Sequence, residues 1–265
     1  MPDLHQLPVS LRPLARTVRL GPDVPALLIR PPADPGAAPI PAIIWMHGRT
    51  AHKEMDPGRY LRLVRAGVGV CALDLPGHGE RRDERLQGPA ATLDVVARMA
   101  EELDAVVADA VREGAFEPSR LALGGFSAGG MVTLLRLTRP HRFGAALVEA
   151  TTGDWSALPS RPLLPAARVD ALDPLLHLQS WRPLPLLAIH ATHDEWVPVG
   201  AQRRFVEAVA AHSPGVEVRL LEFDRTGAPA EHIGFGRYGS QAKDAGTEFL
   251  VRHLQPVPPA AVAPG

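Results

Sequence analysis

The sequence has 265 residues, 46% of them hydrophobic, and its 28 basic and 29 acidic side chains give a formal net charge of −1. This balance offers no electrostatic basis for binding nucleic acid or an anionic membrane surface, so neither is an expected partner. The apolar content suffices for a full core, yet no stretch reaches the roughly 20 uninterrupted apolar residues that span a membrane. A soluble protein is therefore predicted.

The N-terminal segment and the lone cysteine bear on the compartment. Residues 1–19 contain scattered Pro and Arg and no apolar block ahead of a small-residue cleavage site, so no signal peptide is predicted. Cys71 has no partner for an internal disulfide, and it lies in the apolar run 68–73, where a buried and inert thiol is expected. The cytoplasm is the predicted location.

Short apolar runs alternate with helix-forming stretches along the chain, after an initial hairpin that turns at residues 21–23. The predicted strands cover residues 15–20, 24–30, 42–46, 68–73, 121–125, 143–150, 184–191 and 216–223. The predicted helices cover residues 58–66, 92–113, 131–137, 199–211 and 239–254. Apolar strands separated by helices are typical of a mostly parallel sheet that is buried on both faces. An α/β fold is therefore predicted.

Residues 151–183 depart from this alternation, because they are rich in Pro, Leu and Trp without a sustained period. We interpret them as a small cap-like excursion over the site. No internal repeat or long linker divides the chain, so residues 1–254 are predicted to form a single domain. The Pro/Ala-rich residues 255–265 are predicted to be a disordered tail.

The pattern Gly-x-Ser-x-Gly at residues 125–129 follows a buried apolar run and precedes a helix-forming one. We interpret it as a nucleophile elbow, a sharp strand-to-helix turn that exposes the hydroxyl of Ser127 at its apex. Small residues at 125 and 129 fit such a turn, because backbone packs against backbone there. The pattern also occurs by chance in Gly-rich chains, so its weight depends on what else the chain supplies to Ser127.

A serine nucleophile needs a histidine base, and that imidazole needs an acid to fix its tautomer. Catalytic groups on parallel sheets lie at the carboxyl ends of strands. Asp194 follows the predicted strand 184–191, and His232 follows the predicted strand 216–223. The order Ser, Asp, His along the chain is the one that hydrolases with this elbow use.

Other residues remain candidates for both roles. Glu149 ends the strand after the elbow and could also reach the histidine, so it is the rival acid. His190 and His193 lie close to Asp194, where they are rival bases or supports for the acid. Asp194 itself could instead be a helix cap.

The tetrahedral intermediate of acyl transfer carries an oxyanion that two backbone N–H groups would stabilise. The N–H of Ala128, at the start of the helix after Ser127, is one predicted donor. The N–H of Arg49 is the other, because Gly48 allows the loop after an earlier central strand to turn close to the site.

Five motifs in this order resemble the α/β-hydrolase superfamily, and within it the bacterial esterases of the dienelactone-hydrolase and prolyl-oligopeptidase-like branch. The motifs are His47-Gly48, Asp74-Leu-Pro-Gly-His-Gly-Glu80, Gly125-Phe-Ser-Ala-Gly129, His193-Asp-Glu-Trp-Val-Pro198 and Glu231-His232. The resemblance covers residues 20–254. It implies an eight-stranded, mostly parallel sheet and acyl hydrolysis without a cofactor or metal. It also implies Ser127 as nucleophile, Asp194 as acid, His232 as base, and Ala128 and Arg49 as oxyanion donors.

The chain also departs from parts of that superfamily. Ser127 stands where dienelactone hydrolases have a cysteine, and no aspartate nucleophile of the haloalkane-dehalogenase kind is present, so neither chemistry is expected. Arg49 is charged at a position where a small or apolar residue is common. Its side chain either turns outward or contacts an acidic group on the substrate.

The sequence therefore predicts a serine carboxylic-ester hydrolase whose partner is a small or medium acyl ester. A thioesterase, an amidase or small-peptide acyl hydrolase, and a C–C bond hydrolase are alternatives, because the same three residues serve all of them. A binding protein that keeps the fold without turnover is the alternative of another class. Apolar residues of the excursion are predicted to wall the substrate pocket or, alternatively, to form the core of a return loop. These residues are Trp155, Leu158, Leu163, Leu164 and Trp181.

Overall fold

The structure, a computed structural model, describes residues 4–32, 37–160 and 163–254. Its strands are β1 (Ala15–Leu20), β2 (Val24–Ile29), β3 (Ile40–Met46), β4 (Gly69–Leu73), β5 (Phe116–Phe126), β6 (Ala145–Glu149), β7 (Leu186–Ala191) and β8 (Val218–Phe223). In the described ranges these eight strands form one sheet in the order β1-β2-β4-β3-β5-β6-β7-β8. The pairs β1·β2 and β2·β4 are antiparallel and the remaining pairs are parallel. The predicted mostly parallel sheet of about eight strands is confirmed.

Helices cover both faces of this sheet. They are α1 (Pro57–Arg65), α2 (Thr92–Gly114), α3 (Ala128–Leu137), α4 (Ala166–Leu172), α5 (Val199–His212) and α6 (Gly239–Leu254). In β3, Ile44 and Met46 pack into the core under α2 and α3, whereas Ile43 and Trp45 pack into the core under α1 and α6. Burial on both faces explains why the central strands read as apolar runs without alternation.

The strand that leads to Ser127 begins earlier than its apolar pattern indicates. β5 starts at Phe116, whereas the sequence predicts a start at residue 121. Its pairing with β3 shifts register between the partners of Phe116 and Leu121, and the intervening residues 117–120 are partly or fully exposed. This irregularity interrupts the apolar run. A prediction based on buried apolar residues therefore does not detect the first part of the strand.

The predicted excursion between β6 and β7 contains α4 and two short 3-10 helices, Trp155–Ala157 and Pro174–Ser180. Buried Asp173 connects them: its Oδ2 accepts hydrogen bonds from the N–H groups of Trp155 at 3.0 Å and Ser156 at 3.1 Å, and its Oδ1 accepts one from the N–H of Leu175 at 3.1 Å. Elements this short give no sustained period, so the sequence pattern could not resolve them.

Two predictions about organisation stay predictions. The Pro/Ala tail at 255–265 lies outside the described residues. The assignment of residues 1–254 to one domain also includes stretches that the structure does not describe. Among the helices of the described ranges, none combines the length and the apolar character needed to cross a membrane.

Removal of the Asp173 carboxylate is expected to loosen the excursion. Asp173→Ala leaves the buried N–H group of Trp155 and the N–H groups of Ser156 and Leu175 without their acceptor, so the free energy of unfolding should fall by about 2–4 kcal/mol in urea unfolding. Asp170→Ala removes an exposed carboxylate from the preceding helix and should change it by less than about 0.5 kcal/mol. Equal losses in the two variants would contradict the connecting role of Asp173.

Candidate active site

Ser127 lies between β5 and α3 in a strained backbone conformation, with φ 51° and ψ −114°. Its N–H donates to the carbonyl oxygen of Glu149 at 2.8 Å. A Cβ atom at Gly125 would overlap the backbone of Gly129, and one at Gly129 would overlap the carbonyl oxygen of Met46. The turn therefore requires glycine on both sides of the serine.

The hydroxyl of Ser127 ends a chain of hydrogen bonds. Nε2 of His232 lies 2.9 Å from Ser127 Oγ, and Nδ1 of the same ring lies 2.7 Å from Oδ2 of Asp194. The second carboxylate oxygen, Oδ1, accepts hydrogen bonds from the N–H groups of Trp196 and Val197, at 2.8 Å each. Because a carboxylate only accepts, Nδ1 carries the ring proton and Nε2 is left to accept the proton of the serine hydroxyl. The structure thus brings together the three side chains that the sequence predicted as nucleophile, acid and base.

The loop after β8 closes on itself and holds His232 in place. Glu231 has a positive φ of 48°, and its carboxylate accepts hydrogen bonds from the N–H groups of Thr226 at 2.6 Å and Gly227 at 2.8 Å. The imidazole of His232 is 2% exposed, and the indole of Trp196 packs against it with the ring centroids 4.6 Å apart. Local hydrogen bonds and ring packing together limit the freedom of the imidazole.

The two predicted oxyanion donors lie beside the nucleophile. Ala128 begins α3, and Arg49 follows β3 on a loop that passes close to the serine, since a Cβ at Gly48 would lie 3.3 Å from Cβ of Ser127. Neither the N–H of Ala128 nor that of Arg49 donates a hydrogen bond to another residue of the described ranges. Both N–H groups can therefore donate to a ligand.

A cavity of about 450 Å³ opens over Ser127, a volume typical of small-molecule sites. The elbow, the loops after β3 and β7, the start of α2 and the excursion all contribute to it. Its lining residues are Arg49, Pro89, Thr92, Ser127, Ala128, Met131, Leu158, Pro159, Ser160, Leu163, Leu164, Glu195, Trp196, Val197 and His232. Among the described residues, no group of three or more His, Cys, Asp or Glu side chains is arranged to hold a metal ion.

The excursion contributes leucines to this cavity and keeps its tryptophans in the core. The prediction that Trp155 and Trp181 wall the pocket is wrong, because neither side chain lines the cavity. Trp155 is fully buried, and its Nε1 donates to the carbonyl oxygen of Thr152 at 2.9 Å. Trp181 is 2% exposed and packs edge to face on Phe205, with the centroids 6.0 Å apart. For these two indoles the alternative, core packing, holds, as their large apolar area favours.

Comparison with known proteins places this chain in a family. A model described as the prolyl oligopeptidase family matches residues 60–256, which is more than half of the chain. The chain belongs to the prolyl oligopeptidase family. Esterase YjfP from Escherichia coli (strain K12) is 28% identical over 265 aligned residues, which cover 88% of this chain and 96% of the relative. Putative esterase YitV from Bacillus subtilis (strain 168) is 28% identical over 193 residues, which cover 65% of this chain and 76% of the relative.

Solved structures share the fold of this prolyl oligopeptidase family member. TT1662 from Thermus thermophilus superposes with a TM-score of 0.70 at 25% identity, covering 92% of this chain and 99% of the other. A puromycin-hydrolysing peptidase from Mycobacterium tuberculosis gives a TM-score of 0.73 at 24% identity, covering 93% of this chain and 40% of the other. The predicted α/β-hydrolase fold, in its prolyl-oligopeptidase-like branch, is confirmed.

In this family member the rival acid, Glu149, is engaged by a cation and not by His232. Nη2 of Arg59 lies 2.6 Å from Oε2 of Glu149, and both side chains are only 3% exposed. The same guanidinium donates through Nε to Asp56 at 2.6 Å and lies 4.1 Å from the ring centroid of Trp45. The carboxylate of Glu149 therefore balances a buried charge on α1.

Neither rival base contacts Ser127. His193 is exposed, with its Nε2 2.8 Å from Oδ1 of Asp224. His190 is fully buried; its Nε2 donates to the carbonyl oxygen of Val197 at 2.8 Å and lies 3.6 Å from Oδ2 of Asp194. Burial lowers the pKa of His190, so the ring is neutral at pH 7. Its position fits a support for the acid, the other role that the sequence left open for it.

Sequence reasoning missed two contributions to the site. Trp196 both packs on His232 and donates its N–H to Asp194; its place two residues after the acid was the available signal. Thr92, at the start of α2, and Pro89, in the short 3-10 helix before it, also line the cavity. No signal in the sequence connects those residues with Ser127, because only the folded chain brings them near.

Replacing each candidate acid separately by its amide distinguishes their roles. We expect Asp194→Asn to lower kcat for an ester substrate by about three to four orders of magnitude, because the neutral amide no longer fixes the imidazole tautomer. Glu149→Gln should keep kcat within about tenfold while lowering the free energy of unfolding by about 3 kcal/mol, since it leaves Arg59 with Asp56 alone. Steady-state kinetics and urea unfolding measure both. The reverse pattern would assign the acid to β6.

The imidazole of His47 fixes the loop that carries Arg49. Its Nδ1 donates to the carbonyl oxygen of Gly48 at 2.6 Å, and its Nε2 accepts a hydrogen bond from the N–H of Leu75 at 3.2 Å. One neutral tautomer therefore satisfies both nitrogens. Burial lowers the pKa of His47 to about 4, although Asp74, whose Oδ1 lies 3.7 Å from Nε2, acts in the opposite direction.

We expect His47 to make stability fall as the pH falls from about 6.5 to about 4, because only the unfolded chain binds a proton at this ring in that window. His47→Gln should be about 1 kcal/mol less stable than the wild type near neutral pH, because the bond to Gly48 is lost. The variant should, however, lose less stability between about pH 7 and 5. Urea unfolding at several pH values checks this, and parallel pH profiles would contradict a buried neutral histidine.

Proposed function

We propose that this chain is a serine carboxylic-ester hydrolase that acts on small to medium acyl esters through an acyl-enzyme at Ser127. The observation that carries the proposal is the hydrogen-bond chain from Asp194 through His232 to Ser127, which ends at the apex of a strained turn below a cavity. The names of two relatives, Esterase YjfP from Escherichia coli and Putative esterase YitV from Bacillus subtilis, favour esters over other acyl substrates.

Acylation uses each of the assembled groups. Ser127 Oγ attacks the ester carbonyl carbon while Nε2 of His232 takes its proton. His232 keeps its Nδ1 proton, and the carboxylate of Asp194 accepts a hydrogen bond from it and stabilises the imidazolium. The N–H groups of Ala128 and Arg49 donate to the oxyanion, and the dipole of α3 adds to the first of them. As the tetrahedral intermediate collapses, the leaving oxygen takes the proton from His232 and departs as the alcohol.

Deacylation repeats these steps with water. His232 removes a proton from a water molecule, whose oxygen attacks the acyl carbon, and the same two N–H groups stabilise the second oxyanion. The proton then returns from His232 to Ser127 Oγ, and the carboxylic acid leaves. Every proton has a donor and an acceptor within this chain and the substrate, so the reaction needs no cofactor.

The cavity supports the size and polarity of the proposed substrate. Its volume of about 450 Å³ suits a ligand of moderate size. Leu158, Leu163 and Leu164 of the excursion and Met131 of α3 give it an apolar wall, where an acyl or alcohol chain would be buried. The proposed cellular location and partner classes rest on composition. A single buried cysteine fits the cytoplasm, and a balanced net charge favours neither nucleic acid nor a membrane surface as a partner.

The test compares hydrolysis and covalent labelling at one residue. Wild type should hydrolyse p-nitrophenyl esters of short and medium chain length faster than the matching anilides and thioesters. It should also bind a fluorophosphonate covalently. Ser127→Ala should lose the labelling and nearly all of the ester hydrolysis, because Ser127 Oγ is the hydroxyl in the described ranges that lies within hydrogen-bond distance of His232 Nε2.

Ser119→Ala is the matched control, since Ser119 is exposed and lies toward the opposite end of β5. It should keep both labelling and hydrolysis. Labelling that survives in Ser127→Ala, or wild type that neither labels nor hydrolyses any ester, would refute the proposed nucleophile. Faster hydrolysis of anilides or thioesters would keep the nucleophile and change the substrate class.

A further inference from the structure

Arg49 contributes a charged side chain as well as a backbone N–H to the cavity over Ser127. The side chain is half-buried and lines the cavity. Its Nη1 donates to the carbonyl oxygen of Gln87 at 3.1 Å, and its Nε and Nη2 donate to no acceptor within the described ranges. The sequence left open whether this side chain turns outward, and in the structure Arg49 is half-buried and lines the cavity.

The guanidinium of Arg49 has no carboxylate within 4.0 Å among the residues that the structure describes. Three other arginines, whose side chains are at most 12% exposed, are each paired with at least one carboxylate. These pairs are Arg59 with Glu149 and Asp56, Arg81 with Glu102, and Arg136 with Asp104. A cation that is partly desolvated without a counter-charge is costly, and burial indeed lowers the pKa of Arg49. A ligand in the cavity can supply the missing charge.

The part of the cavity near the start of α2 is also suited to an anion. Thr92, the first residue of α2, lines it, and the N-terminus of this 23-residue helix carries a partial positive charge. Asp94 in the first turn of α2 is ion-paired with Arg168 of α4. The acidic residue that lines the cavity, Glu195, follows β7, which is three strands and roughly 14 Å from β3 in the sheet.

We propose that Arg49 selects the substrate: the preferred esters carry an ionised carboxylate in addition to the ester group, and the guanidinium of Arg49 binds that carboxylate. The N–H groups on Nε and Nη2, which donate to no acceptor within the described ranges, can together make two parallel N–H···O bonds to one carboxylate. Arginine is well suited to this bidentate arrangement. This inference rests on the proposed ester hydrolase function, and it specifies the substrate class of that same site. The carboxylate belongs either to the acyl half or to the alcohol half of the ester.

Matched pairs of esters that differ only in charge provide the test. For the acyl half, p-nitrophenyl monoesters of succinic and glutaric acid are compared with their methyl-capped diesters. For the alcohol half, 4-acetoxybenzoate is compared with its methyl ester. In wild type we expect the ratio of kcat/KM, anionic over neutral, to be higher than in Arg49→Met by about 10- to 100-fold in one of the two arms. Arg49→Lys should keep part of that preference, because it retains the charge without the planar fork.

Because the ratio is taken within each variant, a general loss of activity cancels from the comparison. Arg203→Met is the matched control: Arg203 is paired with Glu222 and does not line the cavity, so its removal makes the same change in net charge and should leave the ratio as in wild type. Circular dichroism and fluorophosphonate labelling establish that each variant is folded and competent.

The outcomes separate this inference from the proposed function. If Ser127 is labelled and neutral esters are hydrolysed, but the ratio in Arg49→Met equals that of wild type in both arms, the role of Arg49 is refuted and the esterase stands. If the ratio falls equally in Arg203→Met, net charge and not Arg49 sets the preference, and the inference is again refuted. If wild type neither labels nor hydrolyses any ester of either charge, the proposed function fails and this inference with it.

Discussion

The proposed site depends on one close approach of backbone to backbone, where the end of β3, the turn at Ser127 and the first turn of α3 meet. Gly125 and Gly129 face each other across that turn, and Gly129 lies against the carbonyl oxygen of Met46 while donating its N–H to that of His47 at 3.1 Å. Because no side chain fits between them, the pairing of β3 with β5 determines where the serine is presented. The same β3 loop continues into the Arg49 N–H, so the proposed nucleophile and the proposed oxyanion donor are fixed relative to each other by the main chain.

The proposed acid and base come from loops, yet both loops are held by their own hydrogen bonds. The carboxylate of Asp194 accepts hydrogen bonds from the N–H groups of Trp196 and Val197, in the loop that leads to α5. The carboxylate of Glu231, next to His232, accepts hydrogen bonds from the N–H groups of Thr226 and Gly227. Parallel strands bring the two loops to the same edge of the sheet. Each loop then sets its side chain locally, which reduces the reorganisation needed during a reaction.

The sequence allowed the sheet, most helices and the three central side chains to be predicted, because each depends on a local signal. Buried parallel strands appear in the sequence as apolar runs, and the proposed acid and base lie in loops that follow two of these strands in the chain. The remaining features depend on distant partners. The apolar content of the excursion does not tell whether Trp155 faces the cavity or the core, and the partner of Glu149 is Arg59, 90 residues away. Nor can a sequence show that Arg49 has no carboxylate partner within the described ranges, since that depends on where each carboxylate lies.

Glu149 has two structural roles. Its carbonyl oxygen accepts a hydrogen bond from the N–H of Ser127, and its carboxylate forms an ion pair with the guanidinium of Arg59. A variant that recruited this carboxylate as the partner of His232 would leave a guanidinium buried with only the partly exposed Asp56 as counter-charge. Moving the proposed acid from the loop after β7 to β6 therefore requires a coordinated change at Arg59, and a variant with either change alone is expected to be less stable than the variant with both. In evolutionary terms, the buried ion pair makes the strand that carries the acid difficult to change one substitution at a time.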